Sequence, residues 1–251
     1  MSAARDERAR AFAALHRPGD PLILYNVWDT GSARVVGAAG AKAIATGSWS
    51  VAAAQGHEDG EKMSLDLVVA NAARIAACVD LPVTIDLESG YGDPAAAAAG
   101  VGAAGAVGCN LEDRIVGGEG LRPAEEQAAR LAAVREAVGP LFFVNARTDV
   151  FLAAPPEEHE ALVDEAVRRA RAYAAAGASG VFVPGLVDEE PIARICAESP
   201  LPVNVMVWKG TPPLRRLAGL GVARISHAGA PWRVAMKALE EAARAAHDMI
   251  G

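Results

Sequence analysis

Cysteine is scarce and poorly placed for a shared role. The chain has three, Cys78, Cys109 and Cys196, an odd number far apart, so neither a disulfide framework nor a zinc knuckle can be written from them. Positive charge is in deficit: 24 Lys and Arg stand against 31 Asp and Glu, and the net charge of −7 repels a phosphate polymer. Long apolar runs are missing too. The blandest stretch, Pro94 to Val107, is Ala and Gly, short of the roughly 20 strongly apolar residues a membrane span needs. The opening MSAARDERAR mixes both charge signs and lacks the apolar run of a secretory signal. Nucleic-acid binding, membrane insertion and export are therefore not expected, and a reducing cytoplasm suits the free thiols.

What is present is a globular balance. The 251 residues are 52% hydrophobic and 22% charged, which rules out disorder and can bury a large core. Short apolar runs bounded by Gly, Pro or Asp alternate with stretches of helical spacing, about eight times over. Strands are expected at Leu22–Asn26, Ala41–Thr46, Val83–Leu87, Val107–Leu111, Leu141–Ala146, Gly180–Val183, Val203–Val207 and Val222–Ile225. A helix should follow each, the fifth over Glu157–Ala176, with Pro94, Pro123, Pro212 and Pro231 in first turns where a missing N–H goes unpaired anyway. Strands apolar on both faces and joined by helical crossovers imply a parallel sheet, and eight such units match an α/β fold, the closed (β/α)8 TIM barrel. One domain is expected over residues 1–251, with an extra helix, Ala3–His16, placed to plug the barrel floor. The rival, an open doubly wound sheet, lacks its G-x-G-x-x-G after the first strand.

In a parallel barrel the active site lies at the carboxyl ends of the strands. There the polar residues are lopsided toward acid. The third strand runs out through Asp86 and Glu88, whose i, i+2 spacing sends both to one side, and the fourth through Glu112 and Asp113. Each acid alone could cap a helix or pair with a surface cation. A set at consecutive strand ends calls for a counter-charge, because confined carboxylates raise one another's pKa. With no His or Cys beside them, a hard divalent cation suits, Mg²⁺ first and Mn²⁺ as its substitute, rather than zinc. The fifth strand ends in Asn145-Ala146-Arg147, which aims a planar donor fork at the mouth, toward a substrate carboxylate or into a salt bridge with those acids. Gly47, Ser48 and Trp49 form a small-residue turn whose N–H groups could make an anion nest. Asn26, Trp28 and Asp29 on the first strand and Asn204 on the seventh are candidates to line the pocket.

The strings TIDLESGYGD, GCNLEDR and FVNARTD, in this order on strands three to five, resemble the isocitrate lyase/phosphoenolpyruvate mutase superfamily, and within it the short single-domain branch. The likeness runs from about Leu22 to Leu239. It implies a (β/α)8 barrel that binds Mg²⁺ and makes or breaks a C–C or C–P bond beside a 2-oxo acid, through an enolpyruvate-like intermediate. Dimers or tetramers that exchange C-terminal helices are implied as well. Carried over by position, the resemblance implies Asp86 as the acid on the metal and Glu88 and Glu112 as acids acting through metal-bound water. It further implies Asp59 as an acid beside the reacting group, Arg147 facing the substrate, and N–H groups at Ser48 and Trp49, after Gly47, holding the substrate carboxylate.

One stretch departs from that pattern. Where isocitrate and methylisocitrate lyases carry a Lys-Cys-Gly-His loop after strand four, Asp113 to Pro123 holds no Cys, Lys or His, so a Cys-dependent tricarboxylate lyase is not expected. The longer Asn-bearing lid of the phosphonate mutases is absent too. Gly117, Gly118 and Gly120 make the strip flexible, and Glu119 and Arg122 are its charged side chains for the distal end of a substrate. The expected activity is a Mg²⁺-dependent carbon–carbon lyase or decarboxylase for a small 2-oxo or 2-hydroxy dicarboxylate such as oxaloacetate. C–P chemistry on phosphonopyruvate-like substrates and a 2-oxo acid binding protein without turnover stay open beside it. The expected partners are the small acid itself and further copies of the chain in a homo-oligomer.

Overall fold

Apolar runs with no polar face can only be satisfied between two apolar layers, here the barrel interior and a shell of helices. In the computed structural model, which describes residues 3–249, the strands are β1 Leu22–Leu24, β2 Ile44–Ala45, β3 Val83–Asp86, β4 Gly108–Glu112, β5 Phe143–Arg147, β6 Gly180–Phe182, β7 Val203–Met206 and β8 Arg224–Ser226. All pair in parallel in the order β1-β8-β7-β6-β5-β4-β3-β2. The two end strands meet just past their ends, where the Val27 N–H donates to the Ala45 carbonyl at 2.8 Å and Val27 bridges Thr46. Asn26 staples the same seam: its Nδ2 donates to the Thr46 carbonyl and its Oδ1 accepts from the N–H groups of His227 and Ala228, each at 2.9 Å. The expected (β/α)8 barrel is the one the chain forms. Its strands are trimmed at their ends, and β4 and β5 reach one residue further than expected, so that Glu112 and Arg147 finish opposite each other in register.

Helix α1, Ala3–Ala14, covers the barrel floor as its position suggested. Phe12 is fully buried with Leu22, Val107 and Phe143, a placement that stabilises by about 1.5–3 kcal/mol. Helix α2, Thr30–Ala38, begins on a capping box between Asp29 and Ser32, so Asp29 serves the helix rather than the pocket. Trp28 likewise turns away, edge-on to Trp232 at 5.0 Å. Two elements depart from expectation. The segment read as a turn after β2 winds into a short helix, α3 Ser48–Ala54. The long helix expected from Glu157 begins at Val163 as α7, Val163–Ala175, because the buried His159 donates from its ring to the Phe151 carbonyl at 2.9 Å and folds the preceding residues into two 3-10 turns. The remaining crossovers are α4 Leu65–Cys78, α5 Pro94–Ala103, α6 Ala124–Val138, α8 Glu189–Glu198 and α9 Leu214–Gly219.

The last helix, α10 Ala230–Asp248, stands apart. It is strongly amphipathic, yet Pro231 is its only buried residue among those described, and Val234 and Leu239 are 61% and 62% exposed. On the outside of β1, Ile23 and Tyr25 line an open groove of about 470 Å³. No helix among the described residues is long and apolar enough to cross a membrane.

Candidate active site

The carboxyl ends of the strands frame two neighbouring cavities. One, of about 100 Å³, sits over the barrel axis with Ser48, Asp86, Asn110 and Arg147 in its wall. The other, of about 280 Å³, opens beneath the loop that follows β4 and shares Ser48, Asp59 and Arg147 with the first, adding Lys62, Glu88, Glu112 and Arg114.

Strand β3 ends on Asp86, whose Oδ2 accepts from the Ser48 N–H at 3.1 Å. Its Oδ1 is buried and has no partner. Glu88 lies beyond the strand, in the left-handed region at φ 50°, so strand alternation does not bring it to Asp86. Hydrogen bonds do. Glu88 Oε2 accepts from the N–H groups of Gly60 and Glu61 at 2.8 and 2.7 Å, Oε1 accepts from the Tyr91 hydroxyl at 2.9 Å, and Glu61 in return accepts from the Tyr91 N–H at 2.7 Å. The loops after β2 and β3 are thereby laced together. Gly90 makes the tight turn feasible: at φ 99°, a Cβ there would lie 2.5 Å from that of Pro94. Burial, and then the charge of Asp59, push the Glu88 carboxyl up to about 7. Asp59 is also raised, by burial and then by Asp86, against the pull of the Ser48 hydroxyl.

Across the mouth, Arg147 Nη1 reaches Glu112 Oε2 at 2.9 Å, while its Nε and Nη2 donate to the two oxygens of Asp149 at 2.5 and 2.9 Å. Burial would lower the guanidinium, but Glu112 and then Asp149 outweigh it and keep it charged. Burial outweighs that cation at Glu112 and, with Asp149 and Asp86, raises its carboxyl to about 8. Both readings of Arg147 thus meet in one side chain, which is ion-paired and still lines both cavities. Asp113, expected beside these acids, turns outward instead. Its buried carboxylate accepts from Arg169 at 2.9 Å, the Tyr173 hydroxyl at 2.7 Å and the Asp149 N–H at 3.0 Å, so it is a structural anchor.

Among the described residues no three carboxylate, His or Cys side chains gather closely enough to hold an ion alone. Glu88 and Glu112 are engaged by the N–H groups, Tyr91 and Arg147, and Asp86 alone keeps a free buried oxygen. The remaining chemistry fits Mg²⁺, which is usually held by one or two carboxylates plus substrate and water. Of the Gly47–Trp49 N–H groups, that of Ser48 donates to Asp86 at 3.1 Å and that of Gly47 to the Val27 carbonyl at 3.3 Å. Trp49 stands at the rim, with the Arg233 guanidinium 5.4 Å over its ring and Gly229 against its edge. Asn204 lies within the barrel rather than in the cavity wall, its amide donating to the Val205 and Arg224 carbonyls at 2.8 and 3.2 Å. Of the lid charges, Arg122 pairs with Glu126 at 3.0 Å and Glu119 lines a separate depression with Leu152. Sequence reasoning missed Lys62, Arg114 and Asn110. Lys62 and Arg114 face the larger cavity and make no salt bridge among the described residues. Asn110 could have been found, since it stands two residues before Glu112 on one strand.

Residues 12–247 match the family model described as phosphoenolpyruvate phosphomutase. An uncharacterized protein of Mycobacterium tuberculosis H37Rv is 36% identical over 239 residues, covering 95% of this chain and 89% of that one. An oxaloacetate decarboxylase of Ectopseudomonas mendocina is 32% identical over 255 residues, covering 96% and 85%. Among solved structures, a candidate phosphonomutase of Burkholderia cenocepacia J2315 superposes with a TM-score of 0.93 at 52% identity, covering 96% of this chain and 99% of that one.

Proposed function

The chain belongs to the phosphoenolpyruvate phosphomutase family, within the isocitrate lyase/phosphoenolpyruvate mutase superfamily, and from that premise we propose that it is a Mg²⁺-dependent carbon–carbon lyase or decarboxylase acting on a small 2-oxo dicarboxylate such as oxaloacetate. The observation that carries this reading is the unpartnered, buried Asp86 Oδ1, on a side chain that lines the cavity over the barrel axis together with Asp59 and Arg147. Asp86 would hold the ion through that oxygen, with Glu88 and Glu112 around it. When bound, Mg²⁺ supplies positive charge beside the oxo oxygen, where negative charge builds as the adjacent bond breaks.

The protein's own side chains do the rest. Arg147, clamped by Asp149 and Glu112, presents a fixed cation to both cavities and so steadies charge on the enolate without having to reorganise. Lys62 and Arg114 offer unspent positive charge at the wide end, where the distal carboxylate of a four-carbon dicarboxylate arrives. The loop after β4 holds no Cys, Lys or His, which suits a reaction that releases CO₂ better than one that must protonate a large departing carbanion. Pyruvate release from oxaloacetate, measured with Mg²⁺ and with a chelator, tests the reading. Asp86→Ala should lower the rate by about a hundredfold, and equal rates for both proteins would end the proposal.

Asp59 favours a second reading. A raised carboxyl beside Ser48 and Asp86 suits transfer of a phosphorus-bearing group, and phosphorus NMR of phosphonopyruvate incubated with the enzyme decides for or against it. Assembly follows from α10: its apolar stripe and the groove beside Ile23 and Tyr25 are both uncovered in one copy, so a homo-oligomer that buries each against a second chain is part of the proposal.

A further inference from the structure

Beneath the acid cluster the barrel carries a polar layer that metal binding does not account for. Asn110 on β4, Asn145 on β5, Asn204 on β7 and Arg224 on β8 are all buried. Arg224 is 1% exposed, its Nε and Nη1 have no partner, and burial pushes its guanidinium down to about 9. A charged group so placed is costly unless it does something.

Its effect falls on Asn110. An amide can present either its oxygen or its nitrogen in the same space, and the partners decide which. Two backbone carbonyls, which only accept, take the Nδ2 of Asn204 and so turn its Oδ1 toward Asn145. Asn145 must then offer Nδ2, which donates to Asn204 Oδ1 at 3.1 Å and to Asn110 Oδ1 at 2.9 Å. Gly180 leaves the room for this amide, since a Cβ there would lie 2.8 Å from Asn145 Oδ1. Arg224, which has donors and no acceptor, gives its Nη2 to the same Asn110 oxygen at 3.0 Å. Both donors hold Asn110 Oδ1 downward. The Nδ2 of Asn110 is left without a protein partner, at the floor of the cavity that Asp86 and Arg147 also line.

We infer that Asn110 Nδ2 is a substrate-binding donor that takes an oxygen of the bound oxo-acid anion, and that Arg224 is the positioning residue that keeps it facing upward. The inference rests on the oxo-acid reading of the mouth. Asn110 and Asp86 are register partners on neighbouring strands, so the floor is divided between a carboxylate suited to a cation and an amide suited to an anion. An N–H donor is of no use to a metal ion, which separates this role from those of the acids.

The test is calorimetric titration of oxalate in the presence of Mg²⁺, with Mg²⁺ alone titrated as the control. Asn110→Leu should weaken oxalate binding at least tenfold while Mg²⁺ affinity stays within about twofold of wild type. Arg224→Met should weaken oxalate as well, but not when added to Asn110→Leu, because a residue acting through Asn110 has nothing left to position. Arg224→Lys, which keeps a cationic donor, serves in the same cycle should the Met variant fail to fold, and is expected to stay closer to wild type. Oxalate binding by Asn110→Leu equal to that of a wild type that does bind it overturns the donor role alone. Equal losses from Arg224→Met with and without Asn110→Leu overturn the positioning role. A wild type that takes up no oxalate with Mg²⁺ overturns the oxo-acid reading and this inference together.

Discussion

His16, at the end of the helix that covers the floor, makes stability depend on pH in a calculable way. Its ring stacks on Phe143 at 3.9 Å, Nδ1 donates to the Phe12 carbonyl at 2.9 Å, and Nε2 is buried with no partner. Burial, and then the nearby Arg224, push its pKa from 6.5 down to about 3. The folded chain therefore keeps this ring neutral, whereas the unfolded chain protonates it below 6.5. The stability is intact above that value and drains away as pH falls toward 3. Between pH 7.5 and pH 5 the unfolded state takes up about one proton that the folded state refuses, and because pH 5 lies about 1.5 below the unfolded pKa this is worth about 2 kcal/mol. The perturbation is His16→Phe, which keeps an aromatic ring on Phe143 and removes the titration. Urea unfolding followed by tryptophan fluorescence at both pH values gives the difference for each protein. The carboxylates of the mouth titrate alike in both and cancel. Wild type should lose about 2 kcal/mol more than the variant on acidification. The same loss in both would show that the ring is not held neutral, and the account of the floor would fail.

Two further outcomes follow from the anchors around the site. Asp113→Ala strips the buried Arg169 of its buried partner and the Asp149 N–H of its acceptor, so it should cost about 3–5 kcal/mol by urea unfolding; Tyr173→Phe, which deletes the 2.7 Å bond to Asp113 and the 3.1 Å bond from Arg169 but leaves the ion pair, should cost about 1.5–3 kcal/mol. A loss no larger for Asp113→Ala than for Tyr173→Phe would contradict the ion-pair assignment. Leu239→Glu places charge on the exposed apolar face of α10 and should shift the mass measured by light scattering toward the monomer; an unchanged mass would place the contact between copies elsewhere.

Much of the fold was legible because the barrel is written in local terms. The period of apolar runs and the Pro and Asp caps mark each unit, as at Asp93-Pro94, where the carboxylate caps the helix and the proline opens it. Where tertiary contacts override local preference, the reading slipped. Residues 157–162 have helical composition, yet His159 is drawn to the Phe151 carbonyl and breaks the helix there. Gly47, Ser48 and Trp49 look like a turn of small residues, yet Ser48 and Trp49 open the helix Ser48–Ala54, with Gly47 at its N-cap.

Acids at the carboxyl ends of β3 and β4, and Arg147 at the end of β5, are fixed by the order of residues along the chain, because the spacing along a strand is a local property. Which acid stays free depends on contacts made across the closed barrel. Asp86, Glu88, Glu112 and Asp113 are alike in type, and what separates them is whether Tyr91 and two backbone N–H groups, Arg147, or Arg169 and Tyr173 arrive at each carboxylate. Apart from Tyr91, three residues from Glu88, those partners come from distant parts of the chain, so the division of labour among the acids, like the orientation of Asn110 above Arg224, exists only once the barrel has closed around them.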